Sequence, residues 1–236
     1  MKTLIITFWC LIPVGLLAYH YGPGREQMTL DATASLLDIA KSKANAGDWP
    51  AAVAAYEETL AKLPKDRISE ARQIRLELAK ARMETAQLPK AREELATLAG
   101  ELAEDPKADT KLRDETLATL ASSRFYMTYL MKLEGLPETE WEPEIEAARQ
   151  EQKLLSERAA ESGDTVLAQK HAEDLESTIR LARMDPFELY GKAIPKQCNG
   201  CCSGKCASNK PGKKPSLKPK DGRGAGAGAP MDGEGS

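Results

Sequence analysis

Apolar residues are distributed along this chain in three regimes. The first is a run from Thr3 to Tyr19 that contains no charged residue and is bounded by Lys2 and Arg25. The second covers residues 32–185, where apolar positions recur three and four apart, the spacing of an amphipathic helix. The third begins after Pro186, where the periodicity is lost. Within the second regime the pattern predicts seven helices, at about 32–46, 49–63, 67–86, 89–104, 108–134, 142–161 and 164–184. Their stops have local causes. Gly47-Asp48 ends the first, with Asp48 placed to cap the second. Leu63 precedes Pro64 and so avoids the helical region. Asp105-Pro106, Gly135-Leu136-Pro137, Gly163-Asp164 and Asp185-Pro186 close the fourth to seventh. Pro50, Pro89 and Pro143 sit near helix starts, where the missing N–H is not needed. Helix five carries its expected core at Leu117, Leu120, Tyr126, Tyr129 and Leu133.

The stretch from Thr33 to Pro64 has an internal logic. Small Ala40 and Ala52 allow two antiparallel helices to approach closely, and Gly47 lies in the turn between them. Trp49 and Tyr56 fill the groove beside the small residues, and Pro64 stops the second helix so the chain can turn into another pair. A shift of 39 residues carries Ala40 to Ala79, Ala52 to Ala91 and Tyr56 to Leu95, and aligns Trp49-Pro50 with Leu88-Pro89. The first unit resembles a tetratricopeptide repeat, with Leu36 where an aromatic is usual, and the second is a degenerate copy in which Ala86 replaces the turn glycine. The resemblance implies an all-α fold of antiparallel helix pairs stacked as a short solenoid, with the last helix as a cap. It also implies a peptide-holding groove lined by the first helix of each pair, at Leu37, Lys41, Asn45, Gln73, Leu76, Lys80 and Glu84.

Composition agrees with an all-α body. Aromatics are 5% of 236 residues, and the middle is rich in Ala, Leu, Glu, Lys and Arg, which lose least on entering a helix. The net charge of −3 conceals a division. Residues 192–236 hold nine Lys/Arg against three Asp/Glu, and the remainder holds 24 against 33. An acidic body excludes nucleic acid as its partner. The Lys-, Gly- and Pro-rich stretch 207–236 lacks the apolar residues to offset chain entropy and is expected to be a disordered, solubilising tail. The domain plan is thus an apolar segment over 1–24, a linker over 25–31 opened by the helix-breaking Gly22-Pro23-Gly24, a helical domain over 32–186, a cysteine-containing segment over 187–206 and the tail.

The apolar run just reaches the ~20 residues needed to span a bilayer. An uncleaved signal-anchor is the leading reading, placing the body in the periplasm or cell envelope. A cleaved signal peptide and a secreted body is the competitor, weakened by a poor cleavage site with Leu16 three residues before the cut. Catalytic chemistry finds no support: there is no Gly-rich phosphate loop or nucleophile elbow. His171, among Gln169, Lys170 and Glu173, is expected at the surface. Cys198, Cys201, Cys202 and Cys206 form the one concentrated chemical feature. Four thiolates suit zinc, while two disulfides suit an exported body, and both readings stand. The function expected is a non-catalytic, membrane-anchored scaffold for a protein or peptide partner. The alternative is a small metal- or redox-handling protein that presents the cysteines. The sequence leaves the oligomeric state open.

Overall fold

Three of the helix stops read from glycine share one hydrogen-bonded device. In a computed structural model that describes residues 23–190, Gly47, Gly135 and Gly163 all have φ between 75° and 81°. At Gly47 the glycine N–H donates to Ala44 and the Asp48 N–H reaches back to Lys43, both at 3.0 Å. The same pair of bonds recurs at Gly135–Leu136 and at Gly163–Asp164. Each is a Schellman closure, satisfying carbonyls that the helix end leaves free while reversing the chain.

The described residues form eight helices and no strand: α1 Pro23–Ala46, α2 Trp49–Lys62, α3 Ile68–Met83, α4 Leu88–Glu104, α5 Thr110–Leu133, α6 Glu138–Glu161, α7 Thr165–Arg183 and the short α8 Pro186–Tyr190. Asp48, Asp109 and Asp164 cap α2, α5 and α7 by accepting from backbone N–H groups of the first turn, each cap being worth ~1 kcal/mol. Successive helices from α1 to α7 pack against one another, α3 also touches α5, and α8 folds back onto α5. Adjacent helix pairs are therefore stacked, an arrangement compatible with a helical repeat.

Two expected boundaries shift. α1 begins at Pro23, so residues 25–31 are helical where a linker is expected. Proline is compatible with a first helical turn, and Glu26, Gln27, Met28 and Leu30 are good helix formers. α6 begins at Glu138, four residues before the expected start, and so places Pro143 inside the helix. The apolar run 3–19, the cysteines at 198–206 and the tail lie outside the described residues. None of the described helices is long and apolar enough to cross a membrane.

The core has two parts that share α3. Ala40, Ala52, Val53, Tyr56, Ile74, Leu78 and Ala81 close the first layer. A larger cluster runs from Leu76, Ala79 and Met83 through Leu95, Leu98 and Leu102 to Leu120, Tyr126, Tyr129 and Leu181. α3 is thus buried on two faces, as a helix between two layers must be. Leu120, Tyr126 and Tyr129 are buried as their spacing predicts, while Leu117 and Leu133 are half-buried.

Ion pairs tie the layers together around this core. Arg82, 3% exposed, links Glu57 on α2 to Glu94 on α4. Arg75 reaches Glu101 at 2.7 Å, and Arg72 reaches Asp105 at 2.6 Å. Further along, Glu144 on α6 is gripped by Arg92 of α4 and Arg124 of α5. At the far end Lys132 of α5 is buried, donates to the Leu181 and Ala182 carbonyls at 2.9 and 3.0 Å, and lies 4.1 Å from the centre of the Trp141 ring. It therefore caps α7, pairing the Ala182 carbonyl and adding a second donor to Leu181, which also accepts from the Met184 N–H at 3.3 Å.

Candidate functional site

The residues that carry the repeat pattern lie where close helix packing needs them. Ala40, Ala52, Ala79, Ala91 and Leu95 are fully buried, Tyr56 is buried in the layer against which half-buried Trp49 packs, and Pro64 is half-buried. Burial, with Glu77 nearby, pushes the Tyr56 phenol up to about 12. Gly47 adopts the left-handed conformation that its turn requires.

The seven candidate groove residues are not brought together. Lys41, Asn45 and Gln73 are exposed, and Leu37 is half-buried against the first core layer. Leu76 is 1% exposed and belongs to the core, because α3 is covered on both sides. Glu84 is half-buried, and burial raises its carboxyl above the usual range. Of the seven, Lys80 alone borders the main concavity.

That concavity, about 900 Å3, opens over the later helices. Its lining comes from α5, the C-terminal part of α6 and the start of α7, with Lys80 the single residue from α3. From α3 comes Lys80, whose ammonium bonds Glu77 and Glu115, both at 2.7 Å. Burial alone would lower its pKa, but these two carboxylates more than offset that and hold it above the ordinary value. Asp114 on α5 accepts from Arg158 on α6 at 2.7 Å. Leu155 and Ala159 of α6 and Leu167 of α7 supply apolar surface.

His171 corrects the sequence reading. It is 3% exposed, not a surface residue, and its Nδ1 lies 2.9 Å from Gln152 Oε1 across the α6–α7 contact. The polar neighbours in sequence conceal a helical face. His171, Asp174, Thr178 and Leu181 follow a three- and four-residue spacing and are all buried. Burial, aided by Lys170, holds the imidazole below its ordinary pKa, while Asp174 and Asp114 partly oppose the shift. The ring also borders the concavity.

A second titrating group, half-buried, lies on α6. Glu151 on α6 is pushed up to about 7, chiefly by burial and against the pull of Arg124. Arg124 Nε stands 3.1 Å from one Glu151 oxygen, an ion pair without hydrogen-bond geometry, and the other oxygen has no hydrogen-bond partner among the described residues. Glu151 does not border the concavity. The concavity offers mixed charge over an apolar base, an arrangement suited to holding a ligand. No family model matches the chain, and no curated protein or solved structure matches it.

Proposed function

We propose that this chain is a non-catalytic, membrane-anchored scaffold that holds a protein or peptide partner on a short tetratricopeptide-like solenoid. The observation that carries the reading is the 900 Å3 concavity lined by α5, α6 and α7 with Lys80 of α3. Stacked helix pairs present the first helix of each pair on the concave side, and such surfaces serve binding. The repeat pattern at Thr33–Pro64 and its echo 39 residues on support the tetratricopeptide assignment. The uncharged run from Thr3 to Tyr19 supports an anchor, with the body on the exported side. Affinity capture from detergent-solubilised membranes with the full chain tests the reading. A stoichiometric partner retained at physiological salt is expected. Recovery of no specific partner would remove the scaffold role, and digestion of the body only after inner-membrane lysis would reverse the topology.

The second reading rests on four cysteines within nine residues, Cys198 to Cys206. Zinc bound by four thiolates would give a small metal- or redox-handling module carried by the helices. Metal analysis and thiol counting on protein purified without reductant decide it. Stoichiometric zinc with all five cysteine thiols free after chelation favours the module, and two disulfides without metal, Cys10 remaining free, favour the scaffold.

A further inference from the structure

Two of the cations around the concavity are unpaired. Lys80, Lys111, Arg158 and Lys170 border it with Asp114, Glu115 and Glu161, in a body whose residues 23–190 carry 23 Lys/Arg and 33 Asp/Glu. Lys80 is paired with both Glu77 and Glu115, and Arg158 with Asp114. Lys111 and Lys170 are exposed and have no carboxylate within ion-pair distance among the described residues. Two unpaired ammonium groups beside this concavity, in an otherwise acidic body, are complementary to a negative ligand.

His171 refines the chemistry. The Gln152 amide oxygen at Nδ1 can only accept, so Nδ1 carries the proton and Nε2 of the neutral ring is left as an acceptor. Among the described residues nothing donates to Nε2, and the ring borders the concavity. The concavity therefore asks for a hydrogen-bond donor as well as negative charge. A sulfate or a dianionic phosphate monoester brings charge without a donor at neutral pH. A helix has its main-chain N–H groups already engaged, apart from its first turn. An extended peptide has both: its N–H groups are free and its side chains bring carboxylates.

We propose that the concavity holds an acidic, extended segment of a protein partner. Side-chain carboxylates pair with Lys111 and Lys170, a main-chain N–H donates to His171 Nε2, and an apolar side chain rests on Leu155, Ala159 and Leu167. This inference rests on the scaffold reading and narrows it to one ligand chemistry.

The test uses the full chain in detergent and fluorescence anisotropy with a labelled, C-terminally amidated hexapeptide alternating glutamate and leucine. The controls are the lysine–leucine peptide of equal length, the glutamate–leucine peptide with N-methylated main-chain amides, and its free-acid form. The amidated acidic peptide binds, the basic one does not, and N-methylation weakens binding. The double variant K111E/K170E keeps its helical circular dichroism and loses about tenfold or more in affinity. Equal binding of the basic peptide, or an unchanged affinity for K111E/K170E, overturns the proposal. Binding of the free-acid form alone also overturns it, by moving recognition to a chain terminus. Partner capture separates this failure from that of the scaffold reading. If K111E/K170E recovers the same partner as the unaltered chain, the scaffold stands and the acidic segment does not.

Discussion

Replacing glycine by alanine is predicted to have opposite effects at two positions of this chain. At Gly47, φ is +78° and an added Cβ would meet nothing within 4 Å. The effect there is purely conformational. The left-handed region costs an L-residue about 1–2 kcal/mol, while alanine recovers roughly 0.4–1 kcal/mol by restricting the unfolded chain. Gly47→Ala is therefore destabilising by about 1 kcal/mol. Gly100, within α4, also has open space around its would-be Cβ but no positive φ. Alanine there relieves the helix penalty of glycine and stabilises by about 0.5–1 kcal/mol. The two variants should differ by roughly 2 kcal/mol, or several degrees in Tm for a body of this length. Urea unfolding of the full chain, followed by far-ultraviolet circular dichroism, reads this as midpoint shifts of opposite sign at unchanged m-value. Gly135→Ala and Gly163→Ala should match Gly47→Ala, since all three glycines close the same hydrogen-bonded turn. A neutral Gly47→Ala, or a destabilising Gly100→Ala, would refute the reasoning.

Other expectations concern buried charge. Glu151 has a folded-state pKa of about 7, so the folded chain holds a proton that the unfolded chain releases near the ordinary carboxylate value. Stability from this group is full at low pH, falls as pH rises towards 7 and stays lost above it, by roughly 3 kcal/mol in total. Glu151→Gln should flatten that slope and raise the urea midpoint at pH 8. His171 acts in the opposite sense, because its folded pKa is lowered: stability is lost as pH falls below the ordinary imidazole value, and His171→Gln should remove that loss in the same titration. Arg82→Ala should cost about 2–3 kcal/mol by emptying the space between α2, α3 and α4. Arg82→Met should recover most of it, since an apolar residue of similar length can replace a buried ion pair at little cost, and thermal unfolding separates the two. Lys132→Met removes the bonds to the Leu181 and Ala182 carbonyls, of which Leu181 keeps only that from the Met184 N–H, and removes the contact with Trp141. It should cost about 1–2 kcal/mol and appear first as faster amide exchange in the last turns of α7.

Much of the fold was legible because its stops are written in residues with special backbones. Gly47, Gly135 and Gly163 end helices, and Pro64 and Pro106 follow them, so most boundaries fall within a few residues of the pattern. Pro23 and Pro143 were misleading for the same reason, since each lies in or near a first turn that tolerates it. The repeat places candidate groove residues on α1, α3 and the turn after it, but only tertiary packing shows that the first layer closes over small residues and that a concavity forms among α5, α6 and α7. Leu76 looked like a groove residue because one helical face was assumed, and α3 has two. His171 looked exposed because its sequence neighbours are polar. Its face is shared with Asp174 and Thr178, so a buried stripe is spelled in polar letters and carries no hydrophobic signal.

The sharing of α3 between two core layers has a mechanical meaning. The layer on the amino-terminal side is closed by seven buried residues, three of them alanines, whereas the larger layer holds most of the leucines and aromatics. A pulling load applied at the amino end enters through α1 and meets this lighter layer before it can reach α5, α6 or α7. Unravelling α1 and α2 would release extra length of chain while leaving the concavity shaped. The first helix pair would then serve as a weak link in series, limiting the tension that reaches whatever the later helices hold.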